Sequence, residues 1–235
     1  QATHSASGVV TRQGREVNAL DRLHQPCGLV DLLDPAAAVE PGHAPRHGRL
    51  IDAQASDARQ VNRCANALKA LGLNKGDRVT IYLPKIPEQV VAMLACARLG
   101  IIHSVVYSGF SAPALASRIQ DAEARLVITA DVGYDRGKTI PLKPVVDAAV
   151  QSCPSVEKVV MVRRDALSVA LTAPKEIDWA DWLKEQSAVC AAEPLDAETP
   201  LYILYTSGTT GKPKGVVHVH GGYMVGTYIT TKYVF

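Results

Sequence analysis

YTSGTTGKPKGVVH, residues 205–218, carries three glycines, four Ser or Thr hydroxyls and two lysines in its first eleven residues and then runs into valines. Gly208, Gly211 and Gly215 let backbone N–H groups approach a ligand closely and permit positive φ. Successive N–H groups turned inward form an anion nest. Thr206, Ser207, Thr209 and Thr210 add hydroxyl donors, and Lys212 and Lys214 add charge. A chelated triphosphate suits such a lining. The stretch is nevertheless not a Walker A loop, which is spaced G-x-x-x-x-G-K-[ST] and opens directly into a helix. Here the spacing is G-x-x-G-K, Pro213 follows Lys212 where a Mg²⁺-binding hydroxyl belongs, and a valine-rich strand comes next. A Gly/Thr turn in a β-hairpin is the plain alternative for the same residues.

Working outward, PLYILYT (200–206) reads as a strand leading into the loop. VVHVH (216–220) reads as another, with a helix or strand from Gly222 to the end. Upstream, strands and helices alternate. A helix over 57–71 places Val61, Cys64, Leu68 and Leu71 at helical spacing, with Gly72 as its stop. The strand 77–84 precedes a helix with Pro87 in its first turn and Gly100 after its end. The strand 101–107, a helix over 111–122 with Ser111 as N-cap, and the strand 125–130 follow. A helix over 141–152, the strand 156–164 and a short helix over 178–186, with Trp179 and Trp182 on one face, complete the series. Continuous Val/Ile runs alternating with helices predict an α/β fold, mostly parallel sheet flanked by helices. Residues 1–55 show little periodicity, and 35–49, rich in Pro, Gly, Ala and His, read as loop. The domain organisation expected is an irregular extension over 1–55 and one α/β unit over 56–235.

The chain has 235 residues, 47% hydrophobic and 20% charged, enough for a sizeable core. A net charge of +2 gives no general argument for nucleic acid or a membrane surface. The five cysteines are scattered without a C-x-x-C. Cys64, Cys96 and Cys190 sit among alanines and read as small buried hydrophobes, which favours a reducing, cytoplasmic setting. No run is long and apolar enough for a membrane span, and the N-terminus lacks a signal-peptide core. It also lacks an initiating Met, so a trimmed chain or part of a longer one is expected.

The ten residues 206–215 match throughout the pattern [ST]-[SG]-G-[ST]-[ST]-G-x-P-K-G and so resemble the phosphate loop of the adenylate-forming superfamily. The stretch 61–131 and the ending GGYMVGTYITTKYVF are similar to the N-terminal part of its acetyl-CoA synthetase branch. The likeness spans roughly 57–235, more loosely 167–191, and residues 1–50 share little of it. The resemblance implies the N-terminal part of an ANL-type large domain and three substrates: a short-chain carboxylate, ATP with Mg²⁺, and CoA. It implies an acyl-adenylate intermediate, with Thr206, Ser207, Gly208, Thr209, Thr210, Gly211, Lys212, Lys214 and Gly215 on ATP. In the same branch the stretch matching 130–143 holds two basic residues around R-x-G-[RK] that contact CoA phosphates. That places Asp135, Arg136, Gly137 and Lys138 on CoA, with Asp135 a departure, because a carboxylate repels phosphate. An ordinary solvated turn remains the other reading of these residues.

In the family the Mg²⁺ carboxylate, adenine contacts, acyl pocket and catalytic lysine all follow the phosphate loop. The expectation is therefore a piece that does not turn over alone. A propionyl-CoA or other short-chain ligase, the synthetase portion of a multifunctional chain, and a non-catalytic nucleotide- or partner-binding module are the alternatives. His218 and His220, two apart on an expected strand, would share a face, yet no Cys or carboxylate cluster accompanies them as metal ligands. His103 reads as a buried strand residue. Tyr107, Ser108 and Gly109, at the end of a strand, are expected to line a ligand site.

Overall fold

The structure, a computed structural model, describes residues 48–135, 137–164, 170–172, 175–206 and 213–234. It opens with helix α1 (Gly48–Ala70). The stretch 51–70 contains neither Gly nor Pro, so nothing interrupts the i→i−4 ladder. Ala58, Val61, Cys64, Ala65 and Leu68 form its buried stripe. The helix corrects the irregular reading of residues 48–55, where Ala, Gln and Asp continue the helix rather than break it. Residues 1–47 lie outside the described residues.

The elements that follow are β1 (Arg78–Tyr82), α2 (Pro87–Leu99), β2 (Ile102–Val105), α3 (Ala112–Ala122) and β3 (Leu126–Ala130). Next come the small strands β4 (Val132–Asp135) and β5 (Lys138–Pro141), α4 (Lys143–Val150), β6 (Lys158–Val162), β7 (Glu176–Asp178) and α5 (Trp179–Lys184). The strands β8 (Pro200–Thr206) and β9 (Lys214–Val219) lead into α6 (His220–Val234). Seven strands form one sheet in the order β7-β6-β3-β1-β2-β8-β9, parallel except for the β8–β9 hairpin. The expected α/β class is what the structure has.

Every residue of β3 is buried, and so is all of β1 except half-buried Arg78. Strands buried on both faces need helices on both. The segment β2-β1-β3-β6-β7 supplies them by double winding. The chain steps from β1 to β2 through α2, then returns past β1 to β3 through α3. Right-handed crossovers in opposite directions put those two helices on opposite faces. Helix α2 accordingly packs with α1, which also contacts α5, and α3 packs with α4. The reversal between β1 and β3 is a topological switch point, and ligands in such sheets gather beyond its carboxyl ends.

Local signals held at the helix ends with one exception. Gly100 (φ 66°) closes α2 in a Schellman motif, with Ile101 N donating to the Cys96 carbonyl (3.0 Å) and Gly100 N to that of Ala97 (3.3 Å). Ser111 occupies the N-cap position of α3, yet its side chain caps no backbone N–H. Asp178 caps α5, accepting from Ala180 N (2.8 Å) and Asp181 N (3.3 Å), and Trp179 and Trp182 meet edge to face at 5.6 Å. The four described cysteines are buried free thiols, and burial pushes Cys96 up to about 12.

The histidines depart from the expected strand. Strand β9 ends at Val219, and His220 opens α6. There His220 N donates to the Thr199 carbonyl (3.0 Å) and Gly221 N to that of Ala197 (2.8 Å), which turns the chain off the sheet. A Cβ on Gly221 would stand 2.8 Å from the Ala197 Cβ, so the crossing needs a glycine. His218 stacks on Tyr202 (4.5 Å, 15°), and Tyr202 lies tilted against His103 (5.7 Å, 35°). Among the described residues no group of three or more His, Cys, Asp or Glu is placed to hold a metal. Burial, reinforced by the nearby His220, lowers the His103 pKa to about 4. Burial, then Lys75, lowers His220.

Two stability predictions follow from these positions. Gly100→Ala forces a Cβ into the left-handed region and to 2.8 Å from Leu195 Cδ2. It is expected to cost about 1–3 kcal/mol, read as a lower urea midpoint at unchanged m-value. For His103 the folded pKa lies below the unfolded one, so its contribution is complete above pH ~6.5 and is lost as pH falls toward 4. In His103→Phe the stability–pH slope across that window is expected to be shallower by up to about 1.4 kcal/mol per pH unit. An unchanged slope in urea titrations at several pH values would show that His103 is not the titrating group.

Candidate functional site

The carboxyl edge of the sheet begins at the switch point. Asp131 follows β3 and is 2% exposed. Its Oδ1 accepts from the backbone N–H groups of Val132 (2.7 Å) and Arg164 (2.9 Å). Its carbonyl accepts from Leu142 N (2.9 Å) and Lys143 N (3.2 Å). One residue thus fixes both ends of segment 132–141 and the chain leaving β6. Between those ends the stretch read from sequence as a turn is an antiparallel hairpin, with Val132 opposite Pro141 and Asp135 opposite Lys138. Gly137 (φ 76°) occupies its two-residue turn. The Arg164 guanidinium lies 4.9 Å from the centre of the Tyr134 ring and steadies one strand. A turn glycine between Val-Gly-Tyr and Thr-Ile was the available signal for this hairpin.

Of the residues expected on CoA, Asp135, Gly137 and Lys138 are exposed at the hairpin tip, and Arg136 lies outside the described residues. Cross-strand partners share a face, so Asp135 and Lys138 project from the same side of the hairpin. Beneath the hairpin, Lys143 bonds Asp147 (2.8 Å) and Glu176 (2.9 Å). Burial works against its charge, but the bonds to Asp147 and Glu176 prevail and raise its pKa.

At the next station along the edge, β2 ends in the turn Tyr107-Ser108-Gly109-Phe110. The hydroxyl of buried Tyr82, at the end of β1, lies 2.8 Å from the carbonyl oxygens of both Ser108 and Phe110, and its one proton is shared between these acceptors. Tyr107 is 67% exposed and meets Phe110 edge to face at 5.8 Å. A Cβ on Gly109 would meet the Tyr107 ring, so a side chain there would require that exposed ring to move. Tyr107, Ser108 and Gly109 therefore stand at the carboxyl edge, as the sequence reading placed them.

Strand β8 pairs with β2 in parallel, so its end, Thr206, belongs to the same edge. Thr206 pairs with Lys214 across the β8–β9 hairpin, and both are exposed. They are the described stem of the phosphate loop. Ser207, Gly208, Thr209, Thr210, Gly211 and Lys212 lie outside the described residues. At Gly215 the structure corrects the conformational expectation. It is a strand residue opposite Tyr205 with no positive φ, and a Cβ there would stand 3.2 Å from the Tyr205 ring. Cross-strand packing against Ile203 and Tyr205 thus leaves little room for a side chain at this position.

The Tyr205 hydroxyl donates to Asp121 Oδ2 on α3 (2.7 Å). Burial first, then that carboxylate, pushes its pKa above the ordinary range. The Arg118 guanidinium lies over Phe110 (4.4 Å) and Tyr205 (5.5 Å). Sequence reasoning missed Tyr82, Asp131, Arg118, Asp121 and Tyr205, because each acts through a contact between segments distant in the chain. The assembled edge offers a hydroxyl and an ammonium on a rigid hairpin stem, exposed aromatic rings, and a charged hairpin rooted at the switch point. Such a surface suits a phosphorylated ligand with an apolar or planar portion.

Comparison with known proteins accords with that geometry. The profile of the AMP-binding enzyme family matches residues 57–234. The acetyl-coenzyme A synthetase of Methanothrix thermoacetophila is 60% identical over 171 residues, covering 73% of this chain and 26% of that protein. That of Streptomyces avermitilis is 53% identical over 206 residues, covering 84% and 32%. Among solved structures, acetoacetyl-CoA synthetase from Streptomyces lividans superposes with a TM-score of 0.69 at 32% identity, over 76% of this chain and 27% of that one. The chain thus spans roughly a quarter to a third of the length of these relatives. With the profile matched over most of its length, on the doubly wound sheet described above, the chain belongs to the AMP-binding enzyme family.

Proposed function

We propose that the chain is the phosphate-binding and CoA-facing portion of an ATP-dependent acyl-CoA synthetase whose carboxylate is acetate. The observation that carries this reading is the motif 206–215, joined to a stem at the carboxyl edge by the pair Thr206–Lys214. In the reaction a carboxylate oxygen attacks the α-phosphorus of ATP, the bond to the bridging oxygen breaks, and pyrophosphate leaves. The CoA sulfur then attacks the acyl carbonyl of the adenylate, and AMP leaves. Charge grows on pyrophosphate in the first step, so donors on the β- and γ-phosphates act where they lower the barrier. Thr206, Ser207, Thr209 and Thr210, Lys212 and Lys214, and the backbone of Gly208, Gly211 and Gly215 are the donors assigned to that task. Mg²⁺ enters with the nucleotide and offsets phosphate charge.

Arg136, Gly137 and Lys138 are assigned to the CoA phosphates. Asp135 weakens that patch, since it sits directly across from Lys138. The names and the 53–60% identities of the acetyl-coenzyme A synthetases support acetate over propionate or another short-chain acid. Exchange assays across short-chain carboxylates distinguish these. Among the described residues no helix is long and apolar enough to cross a membrane.

Three outcomes test the proposal. In the whole protein, Lys214→Ala is expected to slow ATP–pyrophosphate exchange by an amount equivalent to about 2–4 kcal/mol, with thioester formation from preformed adenylate less affected. Unchanged exchange would remove Lys214 from the site. Lys138→Ala is expected to raise the KM for CoA while sparing exchange, and Asp135→Arg to lower it. Wild-type CoA kinetics in both variants would return the hairpin tip to an ordinary solvated turn. The 235-residue chain by itself is expected to show no acetate-dependent exchange, and robust exchange would place the whole reaction within it.

A further inference from the structure

We propose that Tyr205, held by Asp121 and covered by Arg118, is the positioning residue that sets the phosphate-loop stem against helix α3. The inference rests on the adenylation reading above and names what orients its phosphate donors. Tyr205 immediately precedes Thr206, and its partner across the hairpin, Gly215, immediately follows Lys214. Its hydroxyl donates to Asp121 Oδ2 at 2.7 Å. A hydrogen bond to a carboxylate is stronger and more directional than packing alone. Its ring lies beneath the Arg118 guanidinium, which also covers Phe110 in the turn after β2.

Gly215 completes the device. A Cβ there would stand 3.0 Å from Ile203 Cγ2, 3.2 Å from Tyr205 Cε1 and 3.4 Å from Asp121 Oδ2. The glycine leaves the room that lets the Tyr205 ring cross β9 and reach α3. One side chain therefore ties β8, β9 and α3 together within one residue of the stem hydroxyl and the stem ammonium. Donors held by a rigid stem meet a polyphosphate without first being ordered, and small displacements of positioned groups cost large factors in rate. Tyr205 touches no substrate in this account. It acts through Thr206 and Lys214.

The test uses the whole protein, with ATP–pyrophosphate exchange and calorimetric Mg·ATP binding measured together. Tyr205→Phe keeps the ring over Gly215 and loses the hydroxyl, with its short bond to Asp121 (2.7 Å) and its longer contact to the Arg118 carbonyl (3.3 Å). It is expected to raise the KM for ATP and the Mg·ATP Kd about fivefold to tenfold, with the carboxylate KM within twofold of wild type. Asp121→Asn still offers an acceptor oxygen and is expected to stay within about threefold of wild type. Asp121→Ala is expected to match Tyr205→Phe, and the double variant Tyr205→Phe/Asp121→Ala to be no worse than either single one. Wild-type ATP parameters in Tyr205→Phe would overturn the proposal. So would a rise in the ATP and carboxylate KM together, which marks general loosening rather than stem positioning. Absence of exchange with any short-chain carboxylate in the wild-type protein would instead overturn the adenylation reading, and this inference with it.

Discussion

Burial of β1 and β3 on both faces is the constraint from which the rest of the architecture follows. A strand such as LVITA with no solvent-facing side needs helices above and below, and a parallel sheet provides them through its crossovers. The chain reverses direction between β1 and β3, which puts α2 and α3 on opposite faces and makes the carboxyl ends there a topological switch point. Side chains within β1 and β3 are committed to the core. Polar chemistry therefore concentrates where the strands stop. Asp131, Thr206 and the turn after β2 all occupy that edge.

Two polar anchors convert the edge into a defined surface. Asp131 satisfies four backbone N–H groups through its carboxylate and carbonyl, so the β4–β5 hairpin cannot swing without exposing unpaired donors in a nearly dry environment. Tyr205 does the equivalent for the β8–β9 hairpin through Asp121. Both hairpins carry at their tips or stems the charged residues assigned to phosphate. Rigidity at the root and reach at the tip suit the binding of phosphorylated ligands that the proposed function calls for.

The electrostatics are uneven across the surface. Lys214 stands on the stem with a hydroxyl as its strand partner, whereas Lys138 stands opposite a carboxylate. In the proposed reading a carboxylate on the same face as Lys138 lowers the local potential for phosphate, whereas the residue across from Lys214 is uncharged.

Sequence periodicity alone determined the α/β class, the limits of α2 and α3, the strand before the loop and the position of the phosphate motif. These features rest on interactions within a few residues: apolar spacing, the Schellman glycine at Gly100 and the dense run of Gly, Thr and Lys at 206–215. Tertiary structure decided the rest, because the partners come from distant segments. The hairpin at 132–141 needs Asp131 and Arg164 to hold it. The reason for Gly215 is a tyrosine on the neighbouring strand rather than its own φ. His220 leaves the strand pattern because its backbone bonds to Thr199 and Gly221 fits only against Ala197. Tyr205 reads in sequence as one more aromatic residue in a strand. Only α3, folded back 84 residues away, gives its hydroxyl a carboxylate to hold.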